Sequence, residues 1–288
     1  MAFRNYDQQT FAYKNEWQNE VNTENVHLSK ELARLKTELC QIKLELGKVN
    51  HVLDAFVYSI SHTIRQPLTS ILGLIHLARH DHVSSRDESA LYHQMMETSI
   101  QKLDGTLKEI QDYSESSRKA IEIKNVDLER FIELRYDQLI LTQGLTGISK
   151  GFHIDHQYPF YTDPHLFFLI ITNVLSNAIK FRDDNKENQF IKIIVSVRQD
   201  FCNINITDNG IGIDPTYLPR VFEMFFKANN IKEGAGLGLA IVDQAVSKLS
   251  GSISISSRIG EGTEVSIQLP NELDRFMETD KIHNAMKK

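Results

Sequence analysis

Asn173, Asn177 and Lys180 are spaced i, i+4 and i+7 in a stretch that reads as helix, which lines two amides and an ammonium along one face. An amide oxygen can ligate Mg2+, and a lysine meets a phosphate as a point charge. Taken alone, the same pattern describes a solvated helix face. Further on, Asp208-Asn209-Gly210-Ile211-Gly212 closes an alternating segment. A carboxylate there can accept from an amino group, and the glycines let backbone approach a flat ligand closely. Phe222-Glu223-Met224-Phe225-Phe226-Lys227 supplies an aromatic patch, and Gly234-Ala235-Gly236-Leu237-Gly238-Leu239 opens an apolar helix. Glycines opening a helix leave N–H groups aimed at an anion. A dinucleotide-binding fold fits poorly, because this loop follows no strand and no acidic residue stands about 20 positions on. Gly262-Thr263 begins the last strand pattern.

A different group lies in Ser61-His62-Thr63-Ile64-Arg65-Gln66-Pro67-Leu68, where one titratable imidazole sits in a long helical pattern. Pro67 removes a backbone hydrogen bond and crowds the carbonyl of Thr63, so a bend is expected beside His62. Alone, His62 would be a surface histidine near a kink. His76, His80 and His82 suggest a metal, but no Cys or Glu stands at ligand spacing and a solvated loop is the better reading.

These groups need elements to hold them. From Leu28 the apolar positions Leu32, Leu35, Leu39, Ile42, Leu46, Val49, Leu53, Phe56 and Ile60 alternate spacings of four and three, the heptad seam of a coiled coil. At 1.5 Å per residue the rod is roughly 50 Å long, and so narrow a seam buries itself only against another helix. With Ile60 at an a position, Thr63 falls at d and His62 at c, outside the seam and exposed. Beyond Pro67, Leu68, Ile71, Leu72, Ile75 and Ala78 form a broader stripe. Ser85 and Glu88 make a capping box for a second helix with Met96, Ile100, Leu103, Leu107 and Ile110 on its apolar face. One such hairpin cannot cover its own stripe, whereas two make a four-helix bundle.

After Arg118 the pattern mixes strands and helices. Asp127 is a candidate cap before Leu128, and Thr162-Asp163-Pro164 is a strong helix opening. That helix runs to Phe181, with Phe167, Ile171, Val174, Leu175 and Ala178 on its core face. Residues 191–197 with 202–207, and 253–257 with 264–269, read as antiparallel strand pairs. The expected domains are an unassigned segment 1–26, a coiled-coil helix 27–60 continuous with the next domain, a dimerising helical hairpin 50–118, an α+β domain 119–272 and a tail 273–288. The fold class is multidomain: an all-α coiled coil and helical hairpin, then an α+β two-layer sandwich.

Composition narrows the rest. The chain of 288 residues is 41% hydrophobic and 24% charged with net charge -6, ordinary globular material without the basic block of a nucleic-acid binder. Its two cysteines, Cys40 and Cys202, form neither a disulfide framework nor a metal cluster, which fits a reducing cytoplasm. The longest apolar run, residues 166–171, is too short to span a bilayer, and the first residues lack the apolar core of a signal peptide.

In this order the motifs resemble those of the sensor histidine kinases of two-component signalling, across residues 50–270. The resemblance implies that His62 is the phosphoacceptor and that Asn173, Asn177 and Lys180 bind Mg2+ and phosphates, with Asn177 on the metal. It also implies that Asp208, Gly210 and Gly212 receive adenine, the aspartate binding its amino group. Phe222, Phe225 and Lys227 would belong to the aromatic motif, Gly234, Gly236, Leu237 and Gly238 to the loop under the ATP lid, and Thr263 would lie beside adenine. The fold implied is the histidine kinase, gyrase and chaperone ATPase sandwich. The activity implied is ATP-dependent phosphorylation of His62 in a homodimer, followed by transfer to an aspartate of a separate response regulator. Hydrolytic relatives place a glutamate one turn before the Mg2+ asparagine, and Asn173 stands there instead, which favours transfer over hydrolysis.

Two positions depart from the family pattern. Thr63 stands where Glu or Asp usually follows the histidine, and it cannot act as a base near neutral pH. Gln66 stands where Thr or Asn usually positions a water for phosphatase chemistry. The segment between Lys227 and Gly234 is also short for an ATP lid. The alternative reading is therefore a weak or inactive pseudokinase, a nucleotide-sensing dimeric scaffold.

Overall fold

A computed structural model describes the backbone of residues 2–80, 86–142, 145, 147–228, 234–273 and 276, with side chains from residue 27 on apart from a few positions. The expected cap Ser85, the loop holding His82, the lid residues 229–233 and residues 277–288 of the tail lie outside them. The chain parts into two units, Met1–Ser59 and Ile60–Lys288.

The first unit is helix, part of α1 (Ala2–His80), which also covers the N-terminal segment left unassigned from sequence. Its seam residues Leu28, Leu32, Leu35, Leu39, Ile42, Leu46 and Leu53 are each between 52% and 60% exposed. Such exposure is what a seam read from a heptad repeat leaves on a single helix.

The second unit begins with the part of α1 from Ile60 to His80, which continues as helix through Pro67, and with α2 (Arg86–Arg118). Leu74 is the residue of this stretch of α1 that becomes buried, and Ser99 and Thr106 are buried on α2. Each hydroxyl there bonds its own helix, Ser99 to the Met95 carbonyl at 2.9 Å and Thr106 to that of Lys102 at 3.0 Å. Leu68, Leu72, Ile100 and Leu107 stay exposed, so one hairpin leaves much of its stripe uncovered.

Then follow β1 (Lys124–Val126), α3 (Leu128–Thr142), β2 (Ser149–His156), β3 (Phe160–Thr162), α4 (Pro164–Lys180), β4 (Phe190–Val197), β5 (Phe201–Asp208), a 3-10 turn (Leu218–Arg220), α5 (Gly238–Lys248), β6 (Ser252–Arg258) and β7 (Gly262–Pro270). The main sheet has the order β2-β4-β5-β7-β6, and β1 pairs with β3 separately. Both antiparallel pairs expected from sequence are present, and β5 joins them by pairing with β7. Strand β2, which sequence did not single out, adds in parallel to β4. Alternation decides which face is inside: Ile191, Ile193, Val195 and Val197 of β4 are buried with Cys202, Ile204 and Ile206 of β5 against α3, α4 and α5. Burial raises the Cys202 thiol to about 12, so it packs as a small apolar group.

Helix α4 packs on the sheet and its neighbouring helices with nine buried apolar residues, and its polar residues His165, Thr172, Asn173, Ser176, Asn177 and Lys180 are all half-buried. Its start is fixed by Asp163, which is 3% exposed. One carboxylate oxygen accepts from the N–H groups of His165 and Leu166, both at 2.9 Å, and the other from Glu122 at 2.8 Å. Asp127 caps α3 more loosely, accepting from Arg130 at 3.3 Å. Because Asp163 satisfies a helix start and a buried linker N–H together, Asp163→Ala is expected to lower unfolding free energy by about 2–3 kcal/mol. A urea midpoint unchanged from the parent would contradict this role.

Candidate active site

The loops at one end of the sheet and the polar strip of α4 enclose a pocket. Of the residues singled out in the sequence, it gathers Asn173, Asn177, Lys180, Asp208, Gly212, Lys227, Gly234, Gly236, Gly238 and Thr263. Gly210, Phe222, Phe225 and Leu237 lie outside its lining. From the aromatic run it is Phe226 that reaches the wall, where Phe181 also stands; the Phe226 ring is 5.8 Å from that of Tyr217 and lies under the Arg220 guanidinium at 4.5 Å. Phe225 turns instead into a cluster with Leu169, Ala235, Leu237 and Ile241.

Asp208 ends β5. Its Oδ1 accepts from the Gly210 N–H at 2.8 Å, and the Thr263 N–H donates to the same carboxylate. Burial outweighs these bonds and the nearby Lys186 charge, pushing the carboxyl up to about 6. The loop after it is pinned on several sides. Lys186 Nζ donates to the carbonyls of Asn209 at 2.7 Å and Gly260 at 2.6 Å. The Asn209 amide bridges Phe190 N at 2.9 Å and the Asn188 carbonyl at 2.7 Å. Ser257 Oγ accepts from Ile213 N at 2.8 Å, donates to the Gly262 carbonyl at 2.7 Å and lies 2.9 Å from Thr263 Oγ1. Lys186 and Ser257 belong to no motif read from the sequence, and Asn209, although inside the Asp208–Gly212 run, has no role assigned by it; the roles of all three arise from contacts across the sheet end.

Two glycines are required by the packing. Gly212 has φ 70°, and a Cβ there would run into the Arg258 carbonyl. Gly236 has φ 79°, and a Cβ would stand 2.8 Å from the Phe225 carbonyl carbon. Its own carbonyl accepts from Phe225 N at 2.8 Å. Both therefore hold backbone where a side chain cannot go.

On α4, Asn173 Nδ2 donates to the Leu169 carbonyl at 2.8 Å, which orients the amide so that Oδ1 faces the start of α5 at Gly238. Among the described residues no group of three or more His, Cys, Asp or Glu could hold a metal ion by itself. The donor set fits a hard divalent ion that is held jointly by the Asn177 amide oxygen and by a ligand's phosphates.

His62 and Gln66 are exposed and Thr63 is half-buried on α1, and none of the three lines the pocket. One lining residue comes from the hairpin: Glu109 of α2, which no sequence motif pointed to.

Two family models match the chain in order. Residues 52–118 match the His Kinase A (phospho-acceptor) domain, and residues 162–273 match the histidine kinase-, DNA gyrase B- and HSP90-like ATPase. The methanogenesis regulatory histidine kinase FilI of Methanothrix harundinacea is 30% identical over 244 residues, which are 83% of this chain and 27% of the relative. The chain thus spans about a quarter of the length of the curated relatives it matches. Histidine kinase ThkA, solved in complex with response regulator protein TrrA, shares the fold with a TM-score of 0.59 at 21% identity, over 77% of this chain and 62% of that one. ShkA, solved full-length in complex with AMPPNP, has a TM-score of 0.54 at 23% identity, over 75% of this chain and 45% of that one. Among the described residues no helix is long and apolar enough to cross a membrane. With the phosphoacceptor hairpin and the ATPase sandwich both matched and in that order, the chain belongs to the sensor histidine kinase family.

Proposed function

We propose that the chain is an ATP-dependent protein-histidine kinase that phosphorylates His62 and passes the phosphoryl group to an aspartate of a separate response regulator. The observation that carries this reading is the convergence, in one pocket, of a buried carboxylate, a strip of two amides and an ammonium, and a glycine-rich helix start. In this reading Asp208 accepts from the adenine amino group, with Gly212, Thr263 and Phe226 around the base. Lys180 and the N–H groups near Gly236 and Gly238 face the phosphates. Asn177 would hold Mg2+, and the ion would supply positive charge to the phosphates.

The transfer is an in-line displacement. An unprotonated imidazole nitrogen of His62 attacks the γ-phosphorus, the bond to the bridging oxygen breaks and ADP leaves. The proton on the other ring nitrogen must then depart. Thr63 cannot take it near neutral pH, so it goes to solvent, to which His62 is open. The amide of Asn173, committed to the Leu169 carbonyl, supplies no base for a competing water. The exposed seam of the first unit and the uncovered hairpin stripe support a homodimer with a four-helix bundle. The second reading, a nucleotide-sensing scaffold without phosphotransfer, rests on Thr63.

Incubating the full chain with γ-labelled ATP and Mg2+ is expected to give acid-labile, base-stable label that His62→Gln abolishes. No label while nucleotide still binds would favour the scaffold. In the same assay Thr63→Glu is expected to raise the initial rate by about tenfold or more, within the usual worth of a general base.

Asp208 makes stability and binding oppose each other across pH. Its folded carboxyl, at about 6 against an ordinary 3.8, favours the protonated form on folding. This contribution is full below about pH 4 and is lost as pH rises through 6, an effect on the order of 2–3 kcal/mol. Adenine recognition needs the ionised form, so ADP affinity is expected to rise through the same interval. Asp208→Asn should stabilise the nucleotide-free chain at pH 7, weaken ADP binding at least tenfold and flatten its dependence on pH. Binding that stays pH-independent in the parent chain would contradict the assignment.

A further inference from the structure

Glu109 reaches from α2 into the pocket and is the one acidic side chain of the hairpin among its lining residues. The backbone N–H groups of Leu237 and Ala235, at the glycine-rich start of α5, both donate to its carboxylate. Lys180 and Lys227 act on it with opposite charge. A Cβ built on Gly234 would lie 2.6 Å from Lys180 Nζ and 4.0 Å from Glu109 Oε1, so ammonium, carboxylate and glycine loop converge within a few ångströms. These are the donors a phosphate would use: paired N–H groups at a helix start and a lysine charge. They differ from the partners of Asp208, which are Gly210, Thr263 and Lys186. Glu109 thus fills the end of the pocket away from the proposed adenine site.

Its position is fixed by the docking of α2 on α5. Ile110 and Tyr113, one position and one turn beyond it, pack on the cluster of Leu169, Ala235, Leu237 and Ile241. Ser116 Oγ donates to Gln244 Oε1 at 2.7 Å, and Gln244 Nε2 donates to Ser117 Oγ at 2.6 Å. Lys248 Nζ donates to the carbonyls of Ser116 at 2.6 Å and Ser117 at 3.1 Å, placing a cation at the C-terminal end of α2. Across the hairpin, Ser70, Gly73, Leu74 and Leu77 share one groove with Met95, Thr98, Ser99 and Lys102. Carried along two antiparallel helices of equal rise, that register sets Glu109 about level with His62.

We propose that Glu109 stands in the place of the terminal phosphate while hairpin and sheet are docked in this way, so that the docked arrangement accepts a nucleoside diphosphate and rejects a triphosphate. The inference rests on the nucleotide reading above and names what that site discriminates. A γ-phosphate would meet a carboxylate already bonded to its donors, and one of the two anions must leave. Departure of Glu109 frees α2 from the loop at the height of the phosphoacceptor. Burial raises the Glu109 carboxyl above the usual range against the pull of Lys180 and the two N–H groups.

The test is calorimetric titration of the full chain with ADP and with AMPPNP, both with Mg2+. The parent is expected to bind ADP more tightly than AMPPNP. Glu109→Gln, which keeps the shape and removes the charge, should tighten AMPPNP binding by roughly tenfold and leave ADP within about twofold. Lys248→Ala, remote from the pocket, should shift the ratio in the same direction by loosening the docked helix. An unchanged ratio in Glu109→Gln would overturn the proposal. So would slower labelling of His62 at unaltered affinities, since Glu109 would then assist transfer rather than oppose binding. A parent chain that binds neither nucleotide would overturn the nucleotide reading itself, and this inference with it.

Discussion

The site depends on keeping one carboxylate where water reaches it poorly. Asp208 carries a cost in the folded chain, visible in a carboxyl pushed up to about 6, and only a rigid frame can hold it there. Lys186, Asn209 and Ser257 supply that frame by tying the β4–β5 end, the loop after Asp208 and the β6–β7 turn to one another. Lys186 and Ser257 stand outside the sequence motifs but bond residues within them, and the Asn209 side chain ties the motif it belongs to back to Phe190 and Asn188. Strain and desolvation of this kind concentrate at functional sites, where the surrounding fold compensates for them.

The opposite end of the pocket is governed by charge instead. Lys180 and the N–H groups at the start of α5 form a cradle that attracts an anion, and a helix from the phosphoacceptor hairpin supplies one. Contacts at Ile110, Tyr113, Ser116 and Lys248 make that supply part of a packed interface rather than a chance approach. Under the proposal made for Glu109, the position of the hairpin is coupled to which nucleotide the pocket accepts. Such coupling needs two arrangements with different affinities for the same ligand.

Sequence reading did well wherever a feature is local. Asp163 before Pro164, the apolar positions of α4, the alternation of β4 and β5 and the exposed place of His62 all follow from neighbours a few residues away. It did less well where partners are distant. Strand β2 has weak alternation around Gly151, and only its parallel pairing with β4 makes it a strand. Leu74 is absent from the stripe that holds Ile71, Leu72 and Ile75, yet it is the one buried beside α2 while Leu72 stays exposed. In the aromatic run, Phe226 rather than Phe222 or Phe225 reaches the pocket, because the positive φ of Phe225 turns the chain between them. Glu109 is the plainest case: one acid among several on a polar helix acquires meaning only when α5 is set against it.

The central claim is that the pocket on the sheet serves the imidazole on the hairpin. Mass-spectrometric localisation of the phosphoryl group, on full chain incubated with ATP and Mg2+ and kept from acid, tests it most directly. The account predicts one added phosphoryl group on a ring nitrogen of His62. Phosphate on another residue, such as Ser61 or Thr63, or none on a chain that binds ATP, would contradict it.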